Sequence, residues 1–414
     1  MLDPHFIRAQ RSLVAQAIRN RHVAVDIDVF FTLDEKRAQL LQEVEKLRAE
    51  RNARSKQKPT PAEIVGLKKM GERIKTKEAE LSVADERYQQ ILLAIPNVPH
   101  ESVPVGENET HNKALKTWGK RPRLTAPLEH FDIPAVKPYL DVERGARTSG
   151  ARFYYLRGPI AQLERALMQY ALDFITKTGF ELITPPLLVR EHTLFGTGYF
   201  PNGRNEVYAV NPGEDNLFLI GTSEQPLMAF HADETLDEKD LPRRYTAFSS
   251  CFRREAGSYG KDLKGILRVH QFNKVEMVAF ATPKTSWKLL DAMVRLSEKF
   301  YQSLKLPYRL VALCTGDLGF QSAKTIDIEG WFPGQNCYRE LGSGSNTTDF
   351  QSRRLNIKYR DKNGEKHLVH TLNNTVVADR ALLAILENYQ QKDGSVLVPV
   401  VLQKYTRFKK IVAP

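Results

Sequence analysis

Apolar residues between Phe30 and Ile95 recur every seven positions. Leu33, Leu40 and Leu47 form one seam, with Phe30 and Val44 filling the alternate positions. After a short break the repeat resumes at Leu67, Ile74, Leu81, Tyr88 and Ile95, with Met70, Ala84 and Ile91 beside it and Lys77 interrupting the second seam. Heptads on both sides of a break predict two helices packed as an antiparallel coiled coil. The break supplies a start signal, because Thr60-Pro61-Ala62-Glu63 fits a capping box with Pro61 at the first helical position. The second helix is therefore expected from about residue 61 to 95, a rod of roughly 50 Å at 1.5 Å per residue.

The pattern then changes. Pro96, Pro99, Pro104, Pro122, Pro127, Pro134 and Pro138 mark a linker and the entry to a second domain. Residues 160–178 read as an amphipathic helix closed by Gly179. Strand-like runs follow at 180–183, 206–210, 217–220, 245–252, 266–280, 308–313, 325–331 and 367–372. Hairpin-like connections among them predict an antiparallel sheet with flanking helices, an α+β body. No G-x-G-x-x-G or G-x-x-x-x-G-K-[ST] occurs, so neither the Rossmann nor the P-loop route to a nucleotide is supported. The expected domains are a helical unit over 1–103 and a body over 104–414.

Composition narrows the class. The 414 residues carry 61 Lys and Arg against 49 Asp and Glu, a net charge of +12 that suits a polyanionic partner. Charge also sorts along the hairpin. Its tip holds Arg51, Arg54, Lys56, Lys58, Lys68 and Lys69 against Glu63 alone. A basic tip on a rigid rod suits contacts to an RNA backbone, and a solvated tip on a dimerisation coil is the plainer alternative. Cys251, Cys314 and Cys337 are far apart with no C-x-x-C pair, which speaks against a disulfide scaffold or a zinc site and favours a reducing compartment. No apolar run reaches the length of a membrane helix and no signal-peptide core is present at the N-terminus, so a soluble, cytoplasmic protein is expected.

The densest chemistry lies in 250–276, SCFRREAGSYGKDLKGILRVHQFNKVE. It reads as a strand ending at Arg253, a loop rich in glycine and lysine, and a returning strand from Ile266. Arg268, Phe272 and Glu276 then share a strand face by period two, with Arg253 beside them. Two guanidiniums, an aromatic plate and a carboxylate suit a nucleoside triphosphate and an amine. The alternative is a surface hairpin whose arginines pair with carboxylates.

This hairpin resembles motif 2 of the class II aminoacyl-tRNA synthetases, in the form found in seryl-tRNA synthetases. The resemblance extends over nearly the whole chain. Gly179-Phe180-Glu181-Leu182-Ile183-Thr184-Pro185-Pro186 resembles motif 1, and Gly221-Thr222-Ser223-Glu224 resembles the family's loop for serine. Thr315-Gly316-Asp317-Leu318-Gly319-Phe320 and Tyr338-Arg339-Glu340-Leu341-Gly342-Ser343 match two further segments. His370-Thr371-Leu372-Asn373-Asn374-Thr375, Arg380 and Leu386-Glu387-Asn388-Tyr389-Gln390 resemble motif 3. Two departures stand out. The glycines common in motif 3 are replaced, and the interval from Thr375 to Arg380 is one residue short.

The resemblance implies ATP-dependent activation of L-serine to seryl-adenylate and its transfer to tRNA(Ser), with tRNA(Sec) open as a second acceptor. Arg253, Arg268 and Arg380 are the implied catalytic residues. ATP falls to Arg253, Arg254, Glu255, Arg268, Phe272, Glu340, Leu341, Gly342, Ser343 and Arg380. Serine falls to Thr222, Ser223, Glu224, Arg253, Glu276, Asn373 and Thr375, with Glu276 and Thr375 reaching its hydroxyl. Glu340 and Ser343 are the implied Mg²⁺ ligands, and no zinc is expected. The tRNA falls to Arg51, Arg54, Lys56 and Lys58 on the arm and to Lys261 and Lys264 in the motif 2 loop. A homodimer through the Pro186 region is implied as well.

Two rival readings are a non-catalytic relative acting as an RNA-binding scaffold and a ligase that charges a carrier protein. Loss of the phosphate arginines or Glu276 would mark the first, and absence of the arm the second. The chain keeps all of these.

Overall fold

In a computed structural model, residues 1–55, 60–256 and 264–414 are described, and the chain divides into two compact units, Met1–Pro96 and Asn97–Pro414. The stretch 97–100 belongs to the second unit. The Asn97 side chain donates to the carbonyls of Gln321 (2.9 Å) and Thr347 (2.8 Å), and the His100 N–H donates to Ala323 O (2.8 Å).

The first unit has two short helices, α1 (Pro4–Ala9) and α2 (Arg11–Asn20), then two long ones, α3 (Ile27–Arg54) and α4 (Pro61–Ala94). The heptads produce the expected pairing. Phe30, Leu40, Val44, Ile74, Ala84, Tyr88 and Leu92 are buried, and the Phe30 and Tyr88 rings lie 5.2 Å apart. Arg37 pairs with Asp85 and Arg48 with Glu78 (2.6 Å), so a higher number on α3 meets a lower one on α4, and Lys77 also reaches Glu43 (3.1 Å). Lys77 thus interrupts the apolar seam to bridge the two helices. The capping box forms, with the Thr60 N–H donating to Glu63 Oε2 at 2.7 Å.

The second unit is built on an eight-stranded sheet. Its strands in chain order are β1 (Lys113–Trp118), β2 (Glu181–Leu182), β3 (Arg243–Phe252), β4 (Gln271–Ala281), β5 (Tyr308–Ala312), β6 (Lys324–Phe332), β7 (Cys337–Asn346) and β8 (His370–Ala378). Across the sheet they run β1-β5-β6-β7-β8-β4-β3-β2, antiparallel throughout except for the short β2–β3 edge. Helices α5 (Gly158–Thr176), α6 (Pro283–Ser303) and α7 (Arg380–Asn388) contribute to its largest core. The α5 helix follows its apolar stripe, with Ile160, Leu163, Leu167, Ala171 and Ile175 each below 1% exposed, and Gly179 turns the chain at φ +85°.

Three expectations change, the first being that the edge strand β1 lies outside every expected strand run. The central strand β7 went unread because its sequence, CYRELGSGSN, lacks apolar alternation. The returning motif 2 strand starts at Gln271 rather than Ile266. Ile266, Leu267 and Val269 are buried outside the sheet, and the Ile266 N–H donates to His130 Nε2 (3.2 Å) rather than to a neighbouring strand. Gly265, at φ +68°, makes the turn where a Cβ would run into the His130 ring. Among the described residues no helix is long and apolar enough to cross a membrane.

Candidate active site

Strands β4, β7 and β8, with residues 253–255 and 266–269, line a cavity of about 260 Å³. At one end the chemistry is cationic and aromatic. Arg253 follows β3, with its Nε donating to Gly221 O (3.2 Å) and its guanidinium 5.2 Å from the Phe272 ring centre. The Arg253 N–H donates to His270 O (3.0 Å), which closes the hairpin beyond the last strand pair. Arg268, outside the strand, still reaches the cavity from its turn, where Nη1 donates to Glu255 Oε2 at 2.6 Å. Arg380, the first residue of α7, lines the same cavity and donates to Glu340 O (2.6 Å) and Oε2 (3.4 Å). The interval before it includes an irregularity in β8. There Glu276 pairs with Thr375 and Val275 with Val377, so Val376 is an extra residue that bulges the strand.

The other end is a buried polar pocket. Glu276 is 1% exposed, and its Oε2 accepts from Thr375 Oγ1 (3.1 Å) and Lys274 Nζ (2.7 Å). Glu224 lies close by, taking hydrogen bonds from Tyr199 Oη (3.1 Å) and Gln351 Nε2 (2.9 Å). Burial, followed by the charge of Glu276, raises the Glu224 carboxyl above its ordinary value. Such a pocket is matched to a small cationic, hydroxylated guest. An apolar one would strand these groups at about 1–3 kcal/mol each.

Of the residues singled out in the sequence, Arg253, Glu255, Arg268, Phe272, Glu340, Leu341, Gly342, Ser343 and Arg380 line the cavity together with Glu224, Glu276, Asn373 and Thr375. Thr222, Ser223 and Arg254 do not. The Thr222 hydroxyl accepts from the Glu224 N–H (3.1 Å) and so fixes the loop, while Arg254 is exposed. Arg51, Arg54 and Lys264 are exposed; Lys56, Lys58 and Lys261 lie outside the described residues. Tyr199, Lys274 and Gln351 were missed. Lys274 carried a signal, since it stands midway between Phe272 and Glu276 on the same strand face. Tyr199 and Gln351 come from distant segments with no local mark.

An antiparallel sheet whose motif 2 arginines, Phe272 and buried carboxylate share one cavity defines a class II aminoacyl-tRNA synthetase core. The family model for the class II tRNA synthetase core domain (G, H, P, S and T) matches residues 207–389, and that for the seryl-tRNA synthetase N-terminal domain matches residues 1–99. The chain belongs to the serine–tRNA ligase family. It is 43% identical over 420 residues to the serine–tRNA ligase of Thermodesulfovibrio yellowstonii, covering 98% of each chain. The crystal structure of seryl-tRNA synthetase from Pyrococcus horikoshii complexed with ATP is 40% identical, with a TM-score of 0.92 over 100% of both chains. The cytoplasmic serine–tRNA ligase of Naegleria fowleri in complex with AMP is 36% identical, with a TM-score of 0.84 over 97% of this chain and 95% of that one.

Proposed function

We propose that this chain is a working serine–tRNA ligase that activates L-serine with ATP in the cavity and passes the seryl group to tRNA(Ser). The observation that carries the reading is the two-ended cavity, with phosphate-binding cations and an aromatic plate at one end and the buried Glu276–Thr375–Lys274 cluster at the other. The serine carboxylate attacks the α-phosphorus in line and pyrophosphate leaves. The 3′-hydroxyl of the terminal adenosine then attacks the acyl carbon of the adenylate and AMP departs. Positioning and cationic stabilisation supply most of the rate, and no dedicated protein base is required.

In this reading Arg253 holds the α-phosphate, Phe272 stacks on adenine with Glu255 at the base's edge, and Arg268 and Arg380 take the outer phosphates. Both outer arginines rest on carboxylates, Glu255 and Glu340, which keeps them oriented until phosphate replaces those partners. Thr222, Glu224, Glu276 and Thr375 surround serine, with Glu276 accepting from its hydroxyl.

The Glu340 carboxylate and the Ser343 hydroxyl form an all-oxygen donor set, which suits magnesium rather than a thiolate-seeking metal. Ser343 in turn bonds Asp327, whose carboxyl stays well above its usual range through burial and then the charge of Glu340. These residues would hold Mg²⁺, which neutralises charge on phosphate oxygens when bound.

A homodimer is supported by exposed apolar residues around Pro186, with Leu182, Leu187 and Leu188 at 50%, 39% and 40% exposure. Arg51 and Arg54, exposed near the end of α3, support backbone contact to tRNA by the N-terminal unit.

Attachment of labelled serine to a tRNA(Ser) transcript tests the reading, and no charging by folded protein with ATP and magnesium contradicts it. In the double variant Arg51→Ala, Arg54→Ala, KM for tRNA is expected to rise about ten-fold and its salt dependence to weaken. Serine-dependent pyrophosphate exchange stays at the wild-type rate. Equal loss in both assays would remove the arm's assigned role.

A further inference from the structure

Behind Phe272, a second cavity of about 250 Å³ shares Asp379 with the first and is lined by Tyr154, Glu164, Asn273 and Asp379. The Asp379 carboxylate Oδ2 accepts from the Asn273 N–H (2.7 Å) and Tyr154 Oη (3.1 Å), while the Asp379 N–H donates back to Asn273 O (3.1 Å). Asn273 Nδ2 donates to Glu164 Oε1 (2.9 Å). The remaining oxygen, Asp379 Oδ1, is buried with no donor on it, and Asn273 bridges the two buried carboxyls, each on a residue 6% exposed. Two carboxyl groups can bond to one another only through a proton. Asp379 immediately precedes Arg380, and its carbonyl accepts from the Leu382 N–H (2.9 Å) to start α7. The clamp on Asn273 therefore ties the base of Arg380 to β4.

We propose that Glu164 and Asp379 share one proton between them, and that the shared proton makes Asp379 a positioning residue for Arg380. The groups acting on the pair are Tyr154, Arg165 beside Glu164 on α5, and Asn273 on β4. Burial, then the charge of Glu164, lifts the Asp379 carboxyl from 3.8 to about 7, and burial lifts Glu164 as well. A raised carboxyl pKa means that the holding effect is complete below about 4 and is lost as pH rises through about 7. Above that, two adjacent carboxylates repel at the root of α7 and Arg380 loses its placement. The consequence for ATP rests on Arg380 being a phosphate ligand, as proposed above.

The test is the pH profile of KM for ATP in serine-dependent pyrophosphate exchange with the full chain. From about pH 6 to about pH 9 the wild-type KM is expected to rise about three- to ten-fold, with kcat changing less than about two-fold. Asp379→Asn keeps an acceptor for Tyr154 and Asn273 and offers Glu164 a permanent N–H donor, so its profile is expected to be flatter; Glu164→Gln does the same from the other side. A flat wild-type profile, or a profile unchanged in both variants, overturns the proposal. Infrared spectroscopy reads the proton without catalysis. A protonated-carboxyl band that fades near pH 7 and is missing from Asp379→Asn supports the shared proton, and identical spectra for the two proteins overturn it. Should Arg380→Ala leave KM for ATP unchanged while this band behaves as expected, the Arg380 assignment fails and the shared proton stands.

Discussion

Replacing Glu276 with alanine is expected to lower kcat/KM for serine in pyrophosphate exchange by about 10³- to 10⁴-fold, with tRNA binding staying within about two-fold. The size follows from burial. Glu276 is 1% exposed and holds both Thr375 Oγ1 and Lys274 Nζ, so the truncated site presents serine with a buried, unpartnered ammonium. The same carboxylate is expected to reject alanine as a substrate, because a guest without a hydroxyl leaves Glu276 unsatisfied. Steady-state exchange with serine and with alanine, alongside filter binding of tRNA, checks both halves. A variant that still activates serine at the wild-type rate means that the pocket is misassigned.

Replacing Arg253 with alanine is expected to cost about 10²- to 10³-fold in kcat, roughly 3–4 kcal/mol of transition-state stabilisation. The Arg253 guanidinium is held by Gly221 O and the Phe272 ring, and its backbone N–H by the His270 carbonyl. In its proposed role the fork meets the α-phosphate without reorganising, and removing it should affect kcat more than the KM for serine. Lysine is not an adequate substitute, since a single ammonium loses the bidentate geometry and the stacking. Exchange kinetics of Arg253→Lys should recover less than about ten-fold of the loss, and full recovery would show that charge alone is used.

The parts legible in the sequence are those in which one local rule decides the outcome. The arm is fixed by heptads and a capping box, so the pairing of α3 with α4 and the start at Pro61 follow from spacing alone. The hairpin chemistry was visible because Phe272 and Glu276 alternate on one strand face, and Lys274 between them could have been read by the same rule. Arg268 shows the limit of that rule. It reaches the cavity from a turn that precedes the strand, so its apparent strand period with Phe272 is incidental. Strand β7 is polar and rich in glycine, and it is a strand because β6 and β8 pair with it on either side. Gln351 and Tyr199 meet Glu224 only through tertiary contacts, and Glu164 meets Asp379 across more than half the body's sequence. Burial of unlike segments against one another leaves no local pattern to read.

Serine-dependent exchange of labelled pyrophosphate into ATP, measured without tRNA, tests the central claim most directly. The predicted result is exchange that requires serine and magnesium and that falls by at least about 10³-fold when alanine replaces serine. Folded protein that shows no exchange at any serine concentration, or exchanges equally well with alanine, would contradict the assignment of this cavity.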